Sequence, residues 1–92
     1  LPNALLQAMS MGIPVVVSNV GGCSEIVHHM ENGILFPSNN LDKFIEAVEM
    51  LIGDREFASR LGANARRTVV KKFSLNRMIE EYTAFFRALS EC

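Results

Sequence analysis

An α/β fold closed by a short parallel sheet is what this sequence predicts, and three observations predict it. The run Ile13-Pro14-Val15-Val16-Val17 is continuously apolar with no polar alternation, which suits a parallel strand covered on both faces. A second apolar triplet, Ile34-Leu35-Phe36, follows a short segment able to form a helix. Beyond Pro37 the apolar residues recur only at helical spacing. Two short strands are too few for a stable sheet. The expectation is therefore a truncated sheet whose other strands lie upstream, leaving one edge open and prone to aggregation.

The elements follow in order. Leu1-Pro2-Asn3 leads into a helix predicted over 4–11, where Leu5, Leu6, Ala8 and Met9 fall at helical spacing and Gly12 supplies the stop. Pro2 suits a helix start, because its missing N–H would have no partner there. After the strand over 13–17, Asn19-Val20-Gly21-Gly22 breaks the chain. A short helix over 24–29 is then capped by Cys23 or Ser24. Glu31-Asn32-Gly33 is a turn signal, and Pro37 ends the second strand, 34–36.

Asn40 is placed to cap a helix over 41–52, whose Leu41, Phe44, Ile45, Val48, Leu51 and Ile52 form one stripe. Gly53 closes it, and Asp54 caps a helix over 55–72 presenting Phe57, Leu61, Ala65 and Val69. Ser74 caps a last helix over 75–90, with Leu75, Met78, Ile79, Tyr82, Phe85, Phe86 and Leu89 on its apolar face. Two strands and about five helices are expected, in a strand–helix segment (1–37) followed by a helical one (38–92).

Composition narrows the function. The 92 residues are 49% hydrophobic and 21% charged, with a net charge of −1, so no basic excess exists to neutralise nucleic-acid phosphates. No apolar run approaches the roughly 18 residues of a membrane span, and no signal peptide is expected. Leu rather than Met at position 1 reads as a cut from a longer protein. Cys23 and Cys92 form no metal-ligand pattern and read as reduced thiols of a cytoplasmic protein.

Four features could carry chemistry. The start of the first helix offers unpaired N–H groups and the positive end of the helix dipole to a phosphate. The pair Gly21-Gly22 lets backbone approach a ligand, but lacks the full dinucleotide pattern and reads better as a turn. His28 and His29 point about 100° apart on a helix and cannot chelate one metal, so no metal site is expected. Arg66-Arg67 with Lys71-Lys72 read as a solvated face complementing a helix C-terminus.

The string LPNALLQAMSMGIPVVVSNVGGCSEIV, followed by ENGILFP, resembles the C-terminal part of the donor-binding domain of retaining GT-B glycosyltransferases, in glycosyltransferase family 4 (glycosyl transferases group 1). Members read E-G-x-P-N-x-L-L-E-A-M-A-x-G-x-P-V-V, then G-G-x-x-E-I-V and N-G-x-L-x-P. Arg60-Leu61-Gly62, Ala65-Arg66, Phe73-Ser74 and Arg77-Met78 are similar to that family's C-terminal helices. The resemblance implies a Rossmann-like domain of an enzyme that transfers a sugar from a nucleotide-diphosphate-sugar donor, with retention, to a sugar, lipid or polysaccharide acceptor. It implies no resident cofactor, an N-terminal GT-B domain as partner, and a cytoplasmic location with peripheral attachment at the inner face of a membrane.

The same resemblance assigns the site. The first Glu of the family's E-x7-E signature falls two residues before Leu1, so this chain carries no catalytic residue and the fragment alone is expected to be inactive. The second falls on Gln7, where the family's Glu accepts hydrogen bonds from the nucleotide ribose. Backbone N–H groups at Asn3 and Ala4 face the diphosphate. Glu25 matches the G-G-x-x-E segment and reads as scaffold. The last helix resembles the one that crosses toward the N-terminal domain. Gln7 departs from the pattern, keeping an acceptor but losing the charge. It opens the alternative of a catalytically inactive binding or scaffold subunit; an unrelated phosphate-binding regulatory module is a further one.

Overall fold

The computed structural model describes residues 3–91, so the roles expected of Leu1 and Pro2 at the helix start, and of Cys92, lie outside the described residues. The element order is α1 (Asn3–Ser10), β1 (Val16–Ser18), α2 (Cys23–Ile26), β2 (Ile34–Phe36), α3 (Leu41–Gly53) and α4 (Arg55–Glu91). β1 and β2 pair in parallel, with Val16 opposite Ile34 and Ser18 opposite Phe36. The Ile34 N–H donates to the Val15 carbonyl and the Asn19 N–H to the Phe36 carbonyl, both at 2.9 Å, extending the ladder at each end.

Helices cover both faces of this ribbon, as its unbroken apolar run requires. Val15, Val17 and Leu35 join Leu5 and Met9 of α1, Cys23 and Ile26 of α2, and Ala65 and Val69 of α4. Val16 and Ile34, on the opposite pleat, join Ala47 of α3 with Phe57 and Leu61 of α4. One helix, α4, thus closes both layers. The Phe44 ring of α3 meets Phe36 edge-on at 5.3 Å, fixing α3 against the end of β2.

Capping chemistry sets the boundaries of α3 and the start of α4. Asn40 Oδ1 accepts from the Lys43 N–H at 3.1 Å, and Asp54 Oδ1 accepts from the Phe57 N–H at 3.0 Å, each satisfying a donor that the helix itself cannot. At the end of α1, Gly12 adopts φ +74°. Its N–H donates to the Met9 carbonyl and the Ile13 N–H to the Ala8 carbonyl, both at 3.1 Å, which is the Schellman termination.

Three expectations need correction. The first strand begins at Val16 rather than Ile13, because the Schellman turn uses Ile13 and Pro14 has no N–H to donate. The helix expected over 24–29 is the single turn Cys23–Ile26. Gly22 precedes it without a side-chain cap, Cys23 lies inside it, and Val27 is already extended. His28 and His29 therefore lie outside any helix.

The largest correction concerns α4, which runs unbroken through Ser74, so four helices are present among the described residues where about five were expected. The apolar stripe does change phase there: Leu61, Ala65 and Val69 face the core, whereas Leu75, Ile79, Tyr82 and Phe86 are more than half exposed. Neither Gly nor Pro interrupts the chain after Gly62, and propagating a helix is cheaper than nucleating another. The stripe rotates away from the core without breaking the helix.

Asn32 ties the turn before β2 to α4. It is 1% exposed. Its Oδ1 accepts from the His28 N–H at 2.7 Å, and its Nδ2 donates to the Ile26 carbonyl at 2.9 Å and to Thr68 Oγ1 at 3.0 Å. Asn64 adds a parallel tie, donating to the Glu31 carbonyl at 2.9 Å. Asn32→Asp turns the donor end into an acceptor facing a carbonyl, at an expected cost of about 2 kcal/mol near neutral pH. Burial raises that carboxyl's pKa in the folded state, and its protonated form can donate again. The variant's stability is therefore retained at acid pH and lost as pH rises through the raised folded pKa. Urea denaturation at about pH 4 and pH 7 checks this, and an equal deficit at both would refute it.

Candidate functional site

The chain direction decides which backbone groups are free to bind. The Schellman turn reverses α1 into β1, so the start of α1 and the end of β1 face the same edge of the sheet, where ligands bind in doubly wound folds. The first N–H groups of α1, those of Asn3 and Ala4 among them, have no partner inside the helix. No acidic side chain lies in its first turn to occupy them.

Ala4 and Gln7 are both exposed, while Leu5 and Met9 are buried in the core. Three residues apart, Ala4 and Gln7 share a face about 4.5 Å apart along the axis. A group held at the helix start would extend past Gln7. Beside it, Leu6, Gln7, Ser10 and Phe73 line an open groove of about 220 Å³. The Ser10 hydroxyl donates to the Gln7 carbonyl at 2.7 Å, leaving the Gln7 side chain to face solvent.

The structure thus brings Ala4 and Gln7 to one exposed face and adds Phe73 of α4, which the sequence reading left between two helices, 55–72 and 75–90. No local signal marks Phe73, because only the unbroken course of α4 carries it alongside α1.

The remaining candidates contribute less. Gly21 adopts φ +57° with open space around it, so its loop is a turn in which a side chain would be strained. His29 Nδ1 accepts from the Leu35 N–H at 3.1 Å, occupying a donor of β2 outside the ladder. Among the described residues no group of three or more His, Cys, Asp or Glu is placed to hold a metal. A hollow of about 420 Å³ lies elsewhere, between β2 and α3, and includes His29, Met30 and Met50. Its charged groups, Lys43 and Glu46, pair with each other at 3.2 Å. No helix among the described residues is long and apolar enough to cross a membrane.

Comparison with known proteins gives this edge a context. The family profile described as glycosyl transferases group 1 matches residues 1–68. An uncharacterized glycosyltransferase of Methanocaldococcus jannaschii is 35% identical over 86 residues, covering 94% of this chain and 22% of that protein. The GDP-mannose-dependent alpha-(1-6)-phosphatidylinositol monomannoside mannosyltransferase of Mycobacterium tuberculosis is 30% identical over 82 residues, covering 89% of this chain and 21% of that protein. Among solved structures, HepE of Anabaena in complex with UDP superposes with a TM-score of 0.80 at 26% identity, over 90% of this chain and 24% of that one. Sucrose-phosphate synthase of Thermosynechococcus elongatus superposes at 0.77 and 28% identity, over 96% and 23%. The chain spans less than a quarter of the length of these relatives.

Proposed function

The chain belongs to the glycosyl transferases group 1 family, and from that premise we propose that it forms the diphosphate- and ribose-binding part of the donor site in a longer retaining GT-B glycosyltransferase. That enzyme transfers a sugar from a nucleotide-diphosphate-sugar donor to a sugar, lipid or polysaccharide acceptor. The observation that carries this reading is the exposed face of α1, where unpaired N–H groups at Asn3 and Ala4 lead one turn later to Gln7.

The chemistry suits the geometry. When the bond between the anomeric carbon and the diphosphate breaks, negative charge grows on the departing phosphate. A helix N-terminus aimed at that oxygen stabilises the charge without needing to reorganise. The first turn of α1 holds no lysine or arginine, so cationic help comes from the upstream portion, and this fragment alone does not catalyse. The exposed apolar stripe of α4, from Leu75 to Leu89, is the surface that packs on the N-terminal GT-B domain. The site works in the cytoplasm without a resident cofactor, its nucleotide being a substrate.

Gln7 predicts a graded effect. An amide oxygen accepts from a ribose hydroxyl more weakly than a carboxylate does, by roughly 1 kcal/mol. Gln7→Glu in the full-length protein therefore tightens nucleoside diphosphate binding about fivefold by calorimetry. Unchanged or weaker affinity would sink the ribose assignment. Gln7 also favours a second reading, a catalytically inactive binding or scaffold subunit. Donor binding without measurable sugar transfer or donor hydrolysis by the full-length protein would establish it.

A further inference from the structure

The unbroken course of α4 removes the explanation that the sequence offered for its basic residues. A helix ending near Lys72 would set Arg66, Arg67, Lys71 and Lys72 against its C-terminal dipole. In the structure α4 continues to Glu91, and the dipole's influence is confined to the last turn. One of the four still meets a helix C-terminus, but it is that of α1. Arg66 Nη1 donates to the Ser10 carbonyl at 3.2 Å. Ser10 is the last residue of α1, whose final turn holds no basic side chain of its own.

That carbonyl is one the backbone leaves free. Inside a longer helix it would accept from residue 14, but Pro14 has no N–H. The N–H groups of Met11, Gly12 and Ile13 all turn back to the carbonyls of Gln7, Ala8 and Met9. A guanidinium at this point satisfies the orphaned acceptor and opposes the negative end of the α1 dipole. Arg66 also belongs to a stripe. At 100° per residue, Gly62, Arg66, Val69 and Phe73 of α4 fall within about 60° of one another. Each meets α1: Gly62 packs against the Gly12 carbonyl, Val69 shares a core with Leu5 and Met9, and Phe73 lies beside Leu6, Gln7 and Ser10. α4 therefore runs back along α1 from its end toward its start.

We propose that Arg66 is a positioning residue: by holding the C-terminal end of α1 it sets where the first N–H groups of that helix point, and so how firmly they hold a diphosphate. The proposal rests on the reading of the α1 face as the donor site. A helix secured at its end acts as a lever. Asn3 lies about 13 Å from Gly12 along the axis and Gln7 about 7 Å. A tilt about the contact between Gly12 and Gly62 thus displaces the diphosphate-facing amides nearly twice as far as the ribose-facing side chain. Hydrogen bonds to an anion weaken steeply as they lose alignment. Arg66 is itself exposed, so its replacement removes no buried packing and the aim of α1 can change while the fold survives.

The test is calorimetry of full-length Arg66→Met, Arg66→Lys and Asn64→Ala with UDP and GDP, and with uridine and guanosine, beside melting curves. Arg66→Met keeps the aliphatic stem and is expected to bind the diphosphates about tenfold more weakly, while the nucleosides lose less than about twofold. Arg66→Lys restores the charge but not the planar fork, and is expected to recover to within about threefold of the parent. Asn64→Ala cuts the tie of α4 to the Glu31 carbonyl, away from α1, and costs stability without changing nucleotide affinity. A merely structural Arg66 would lower the melting temperature and move all four ligands alike. Arg66→Met binding diphosphate like the parent, equal losses for nucleoside and diphosphate, or an Asn64→Ala loss as large as that of Arg66→Met overturns the proposal. Should Arg66→Met fail to fold, Arg66→Lys must still lose about threefold for the diphosphates and nothing for the nucleosides. Ala4→Asp separates the two ideas. If it too leaves UDP and GDP binding unchanged, the donor-site reading has failed; if it weakens binding while Arg66→Met does not, the positioning role alone has failed.

Discussion

Gly62→Ala is expected to destabilise the fold by about 4 kcal/mol or more, enough to unfold a domain of ordinary marginal stability. The reason is a backbone approach, not a torsion angle. Gly62 is buried in α4 against the turn that ends α1, and a β-carbon there would lie 2.1 Å from the Gly12 carbonyl oxygen and 3.0 Å from the Gly12 carbonyl carbon. Neither atom can rotate aside. The Gly12 backbone is fixed at φ +74° and by the paired bonds of the Schellman turn, so relief requires α4 and α1 to separate by roughly 1 Å. That separation would loosen Met9, Leu61 and Ala65, each fully buried, and interior packing tolerates little such slack. Gly53→Ala is the matched control. A β-carbon there meets nothing within 4 Å, and alanine in the last turn of a helix is expected to stabilise by about 0.5 kcal/mol. Urea or thermal denaturation of the two variants measures both signs. A Gly62→Ala protein as stable as its parent would mean that the two helices do not meet as described.

The contrast between those glycines shows where the sequence is informative and where it is not. Caps are legible because donor and acceptor lie three residues apart. Asn40 and Asp54 were expected to cap α3 and α4, and both do. The second strand was legible because an isolated apolar triplet, Ile34-Leu35-Phe36, between turn residues has few other uses. Gly62 was noticed only through its likeness to other sequences, because its partner, Gly12, is far along the chain. Asn32 read as a turn residue, which it is, but its bond to Thr68 depends on the docking of α4. The break assigned at Ser74 failed for a different reason. A change of stripe phase signals a change of neighbour, and that resembles a change of helix until the backbone is seen to continue. At the candidate site, helical spacing suffices to place Ala4 and Gln7 together on an exposed face. The Phe73 wall of the groove was hidden by the same error at Ser74.

Ala4→Asp is expected to move folding and binding in opposite directions, which makes it the sharpest test of the α1 face. Ala4 is exposed in the first turn of α1, where no acidic residue now stands. An aspartate there faces the positive end of the helix and should stabilise the fold by roughly 0.5 kcal/mol. The same carboxylate would lie within about 5 Å of a diphosphate held at the helix start. Two like charges at that distance repel by roughly 3 kcal/mol at an effective dielectric constant near 20. Binding of a nucleoside diphosphate to the full-length protein should fall by about a hundredfold or more. Ala4→Lys reverses both signs, weakening the helix slightly and tightening the diphosphate, and raised salt shrinks both effects. A loss of fold cannot imitate this pattern, because the variant that binds worst is the one that melts highest. Calorimetric titration with UDP and GDP, paired with melting curves, reads the two axes separately. If both variants bind as the parent does, the diphosphate lies elsewhere and the start of α1 is an ordinary helix end.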